Sequence, residues 1–208
     1  MTEKYEWRTA EKEIYPNKKA ATIVTLPPQT FITLSGTGNP NDSDFGNRVA
    51  ALYAISYAIK MAPKKGIQFP NAFDYTVYPL EGFWTLPKDY HQEQLDKNQL
   101  IYQIMIKQPD FVTPAVFAQA LELAAGKITP QLLNQLSLET KKEGTVAMIR
   151  HVGAFANEPV TFAQLADFLE QQGYHRTSKA HKEIYLSDFR RVAEEKRKTI
   201  LRVTVAKN

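Results

Sequence analysis

The octapeptide HKEIYLSD, residues 181–188, sets three groups capable of proton chemistry, His181, Glu183 and Tyr185, at alternate positions. In an extended segment they share one face, with Lys182, Ile184 and Leu186 on the other, because strand side chains alternate with period two. A carboxylate there can act as a base toward water, and a neighbouring phenol can hydrogen-bond an oxygen that gains charge. The same alternation also suits a half-buried antiparallel strand with its polar face in water. A second stretch, YPLEGFW (78–84), offers Glu81, Phe83 and Trp84: another carboxylate, with aromatic area for stacking on a planar ligand. Two carboxylates facing one cleft would differ in protonation, since desolvation and mutual repulsion raise the pKa of at least one.

Other chemistries are poorly supplied. The chain has no cysteine, which excludes disulfides, thiol catalysis and thiolate metal sites. His91, His151, His175 and His181 show no metal-binding spacing such as H-x-x-x-H, so neither a metal nor another cofactor is expected. There is no G-x-S-x-G, and LSGTGNP lacks the lysine of a phosphate loop. The formal charge of +4 does not gather into a basic face; the densest run, RRVAEEKRK (190–198), is interrupted by Glu194 and Glu195, which argues against direct nucleic-acid binding. No apolar run approaches the ~20 residues of a membrane span, and the first 20 residues lack the apolar centre of a secretory signal, so a cytoplasmic protein is expected.

The elements that must position these residues follow from pattern. Residues 1–20 are polar and mixed in charge and read as a loosely held arm. Two β-rich runs follow, broken by Pro27-Pro28, with Phe31–Ser35 the more secure strand. A helix begins at Asp42 or Ser43, carries the stripe Phe45, Val49, Leu52, Ile55 and Ile59, and stops at Pro63. Tyr53 and Tyr57 lie four apart on it and share one side, as candidate ligand contacts. AFDYTVYPLEGFWTL and NQLIYQIMIKQ read as strands, separated by a charged turn around Asp89–Asn98. Thr113-Pro114 and Thr129-Pro130 each open a helix in an insert spanning 111–142. Then GTVAMIRHVG predicts a strand, EPVTFAQLADFLEQQG a helix with Phe162, Leu165, Ala166 and Leu169 inward, and HKEIYLSD and TILRVTVA two more strands. Strand, helix, strand, strand thus occurs twice, over about 21–110 and 143–208, which predicts an α+β tandem fold with a pocket at the seam between halves.

Four segments in order, VTLPPQTFITLSGTGNPND, YPLEGFW, RHVGAFANEPVTFAQL and HKEIYLSDFRRVAEEKRKTILRVTV, resemble the GyrI-like small-molecule-binding family, also seen as the effector-binding part of multidrug-responsive transcription activators. The resemblance implies SHS2-type halves forming an antiparallel sheet, a cleft for planar hydrophobic or cationic small molecules, and an acidic cleft residue at Glu183. It extends the candidate ligand contacts to His151 and Phe155, although Phe155 and Phe189 stand where the family often has tyrosine and proline. Regulators in the family carry a helix-turn-helix before this module, whereas here it begins near residue 20, which implies a stand-alone binder or enzyme. Part of the family is able to open the cyclopropane of DNA-alkylating compounds by adding water, which would make Glu183 the base and Tyr185 the donor to the carbonyl oxygen, with Trp84 holding the planar body. The alternatives are a binder that leaves its ligand unchanged, or a partner of a topoisomerase.

Overall fold

The computed structural model describes residues 4–92, 94–189 and 191–208, so the start of the N-terminal arm, Glu93 of the charged turn and Arg190 of the basic run lie outside the described residues. The helices form where caps and stripes ask for them. Helix α1 is a single turn (Trp7–Ala10). In α2 (Ser43–Met61) the whole stripe from Phe45 to Ile59 is buried, and a 3-10 turn containing Pro63 closes at Gly66 with φ 77°. Thr113 and Thr129 accept bonds from the amides of Val116 and Leu132, capping α3 (Pro114–Ala124) and α4 (Pro130–Leu133). Helix α5 (Glu158–Gln172) ends on left-handed Gly173. Leu165 and Leu169 face its core and Phe162 is half-buried, but Ala166, expected inward, is exposed.

Among the described residues nine antiparallel strands make one sheet: β1 (Thr22–Leu26), β2 (Gln29–Thr37), β3 (Leu80–Thr85), β4 (Ile101–Lys107), β5 (Ser137–Lys141), β6 (Gly144–Val152), β7 (Tyr174–Arg176), β8 (His181–Tyr185) and β9 (Lys198–Lys207). Their order is β1-β6-β9-β8-β3-β4-β2-β5, with β7 pairing the far end of β9. The arrangement repeats: β2, α2, β3, β4 on one side is matched by β6, α5, β8, β9 on the other, and β3 pairs β8 at the seam. Each half lends a strand to the other. β1, which precedes the first repeat, pairs β6 of the second, and β5, which precedes the second, pairs β2 of the first.

Register assigns the faces. Gly82 lies opposite Glu183 and Trp84 opposite His181, so these residues share one face; Glu81 lies opposite Ile184 and Phe83 opposite Lys182, on the other. Both long helices cover the Glu183 face. Phe45 of α2 packs on Trp84 and Tyr102, and Leu165 and Leu169 of α5 join Ile149, Leu201 and Val203 in a second core cluster. The gap between the helices lies over the seam.

Part of the opposite face, around Glu81, Tyr78 and Lys107, is covered by the N-terminal segment, which corrects the reading of a loosely held arm. Trp7 and Tyr15 are 1% and 3% exposed and stack edge-on at 4.8 Å. Trp7 Nε1 donates to the Val77 carbonyl, and Arg202 donates to the carbonyl of Ile14 at 2.8 Å. Glu11 binds Lys107, Tyr78 and Tyr5 together. The run AFDYTVYPLEGFWTL is a strand only from Leu80; residues ahead of it make a single bridge, Tyr5 with Tyr75, because Pro70 and Pro79 interrupt any longer ladder.

Candidate functional site

Strand β8 presents His181, Glu183 and Tyr185 to the gap between α2 and α5. Glu183 is locked: its Oε2 accepts from the Tyr185 hydroxyl at 2.9 Å, and its Oε1 pairs with His181 Nε2 at 3.0 Å. Tyr185 in turn accepts from Trp84 Nε1 at 3.0 Å. Gly82 makes this chain of bonds sterically possible, because a Cβ there would stand 2.6 Å from the indole nitrogen and 3.2 Å from the Tyr185 hydroxyl. Enclosure and the charge of Glu183 hold the Tyr185 phenol well above its ordinary pKa, so it stays a donor.

The carboxyl that answers Glu183 is Glu158, a residue that sequence reasoning passed over as the start of a helix. It sits at the first position of α5, 8% exposed, and its Oε1 is buried without a hydrogen-bond partner among the described residues. Burial, and then the negative charge of Glu183, push its pKa up to about 9, so at neutral pH it carries a proton. One carboxylate gripped by two neighbours and one protonated carboxyl with a free oxygen therefore share the site. Burial beside a second acid is what keeps the proton on Glu158.

The walls are aromatic. Phe155 and Phe189 meet Tyr185 at 5.9 and 6.3 Å, and Phe162 meets His181 edge-on at 5.0 Å. Arg197 lies over Phe155 and Arg176 over Phe162, each 5.6 Å from the ring centre.

Several expected site residues are placed elsewhere. Glu81 does not face Glu183; it is 1% exposed on the opposite face, 3.0 Å from Lys182 Nζ and 3.1 Å from the Tyr15 hydroxyl, because its cross-strand neighbour is Ile184. Phe83 follows it to that face. Trp84 reaches the site only through its N–H, since its ring is buried against Phe45 and Tyr102. His151 is 4% exposed and both ring nitrogens are used, Nε2 at the Ala154 carbonyl and Nδ1 at the Thr161 hydroxyl, so it ties β6 to α5 rather than facing a ligand. Tyr57 is 51% exposed on α2, with half-buried Tyr53 beside it at 6.4 Å. Among the described residues no group of histidines and acids could hold a metal, and no helix is long and apolar enough to cross a membrane.

A duplicated α+β sheet with ionisable and aromatic residues gathered beside the β3–β8 seam has the architecture of a small-molecule-binding domain. The chain belongs to the GyrI-like family: the model of the GyrI-like small molecule binding domain matches residues 20–205. It is similar to an uncharacterized conserved protein from Listeria innocua, at 33% identity and TM-score 0.89, over 98% of this chain and 100% of that one. It is also similar to a protein described as a hydrolase from Listeria innocua, at 31% identity and TM-score 0.87, with the same coverage. The EcmrR C-terminal domain shares the fold, at 12% identity and TM-score 0.53, covering 91% of this chain and 98% of that one. Among curated proteins none matches the sequence.

Proposed function

We propose that the cleft adds water to planar electrophilic compounds, with cyclopropane-bearing DNA alkylators as the substrate class, and so removes their reactivity. The observation that carries this reading is the pairing of a protonated Glu158, with one unpartnered oxygen, and a Glu183 carboxylate held by His181 and Tyr185. Opening a conjugated cyclopropane needs a base and an acid at once. Glu183 takes a proton from water as the water oxygen bonds to the cyclopropane carbon. The strained C–C bond breaks, its electron pair moves through the conjugated ring to the carbonyl oxygen, and that oxygen takes the proton of Glu158. One water is added, and solvent returns both carboxyls to their starting states. Phe155 and Phe162 hold the flat body so that water and carbon meet, an alignment that can contribute up to roughly 7–11 kcal/mol.

Tyr185 takes a different part from the one its sequence position suggests. Its hydroxyl already donates a hydrogen bond to Glu183, so it orients the base, and the donor to the carbonyl oxygen is Glu158. The relative described as a hydrolase supports the reading. Reversible binding without chemistry is the second reading, favoured by the aromatic walls and the family's small-molecule-binding description.

The test is incubation of a cyclopropane alkylator with the protein in ¹⁸O-labelled water, followed by chromatography and mass spectrometry. Catalytic appearance of a labelled ring-opened alcohol, lost in Glu183→Gln and Glu158→Gln at intact fold, is expected. Recovery of unchanged compound with saturable binding would leave the second reading.

A further inference from the structure

We infer that the opposite face of the seam carries a second ligand site, for a small organic anion with an aromatic body. A cavity of about 390 Å³ opens there, beside the turn between β5 and β6, with Phe83, Met105, Lys142, Glu143, Lys182 and Arg202 in its wall. Phe83 stands on β3, in the middle of the sheet, yet is 39% exposed, because this cavity lies over it. Such a ring in a concave wall is a stacking surface.

The charges define the ligand. Lys182 and Arg202 are 3% and 1% exposed and are met by Glu81 and Glu143, while Lys141 is met by Glu139 at 2.8 Å. Lys142, exposed on the turn, has no ion pair among the described residues and leaves the wall one positive charge in excess. Arg202 directs Nε, Nη1 and Nη2 to Met148 Sδ, Glu143 and the Ile14 carbonyl, and its guanidinium has more N–H groups than these partners. A carboxylate meeting Lys142 and the guanidinium, with its ring on Phe83 and Met105, complements both the charge and the apolar wall. A lipophilic cation does not, since it would be buried beside two cations.

The experiment is calorimetric titration of the full chain with 2-naphthoate and with 2-naphthamide, which has the same ring and no charge. Naphthoate is expected to bind at least about tenfold more tightly than the amide, and less tightly as salt is raised. Both Lys142→Glu and Phe83→Ala alter exposed side chains and should each weaken binding by roughly five- to tenfold at unchanged fold. Amide shifts should gather at Lys142 and Glu143 and spare Thr161 and Leu165 of α5. Equal affinity for acid and amide, indifference to Lys142→Glu, shifts confined to α5, or no heat at millimolar concentration would each overturn the assignment.

Discussion

Strand β8 separates two polar clusters built from the same kind of side chain and ending in opposite states. Glu183 and Glu158 face each other on the helix-covered side, where burial and the neighbouring charge raise Glu158 to about 9. On the other side burial also pushes Glu143 up, but Lys182 at 2.5 Å and Arg202 at 3.4 Å win, and its pKa is lowered. The charge each buried carboxyl meets on its side of β8, rather than residue type, therefore decides whether it keeps its proton or loses it. The side with the lysine and arginine pairs holds the sheet together across the seam, linking β8, β9, β3 and the β5–β6 turn; on the other side Glu158 keeps its proton.

The comparison breaks most severely at Lys182. Lys182→Met leaves Glu81 buried without its cation and should cost about 3–5 kcal/mol in urea unfolding, far more than any cleft substitution costs in stability. Glu158→Gln comes next, with a roughly 100-fold or greater loss of water addition in the labelled-product assay. It should also raise stability at alkaline pH. A group whose folded pKa lies above its unfolded value binds protons in the native state that the unfolded chain has lost, so Glu158 makes stability fall as pH rises from about 4.5 toward about 9. Thermal melts across that range should lose this slope in Glu158→Gln. Glu143 has the opposite sign: its contribution is present above the ordinary carboxylate pKa and is lost as pH falls through its lowered one.

Gly82→Ala sharpens the site's geometry. Its methyl would stand 2.6 Å from Trp84 Nε1, and about 1–3 kcal/mol of overpacking, seen in denaturation together with changed near-ultraviolet dichroism, is expected. The smallest effect is Trp84→Phe, which removes the bond to Tyr185 for about 1 kcal/mol and should lower activity several-fold without moving substrate affinity in parallel.

Much of this was legible in the residues. The alternation in HKEIYLSD assigned Glu183 and Lys182 to opposite faces, and the Thr-Pro caps and the stripe of α2 stand where pattern put them. Glu81 misled because strand order alone does not give register; a shift of one residue between β3 and β8 would have turned it into the cleft. Glu158 looks like an acid at a helix start, where negative charge is ordinary, and the charge that acts on it, Glu183 on β8, is distant in sequence. Trp7 and Tyr15 were diluted by charged neighbours, so nothing local marked them as the lid of one face.

The central claim, that the cleft holds one protonated and one ionised carboxyl, is tested most directly by titrating ¹³C-labelled glutamate side chains by NMR, with Glu158 assigned through Glu158→Gln. The account predicts that Glu158 remains protonated at neutral pH, titrates near 9, and moves downward when Glu183→Gln removes the facing charge. A Glu158 signal that titrates near 4.5 and ignores that substitution would contradict it.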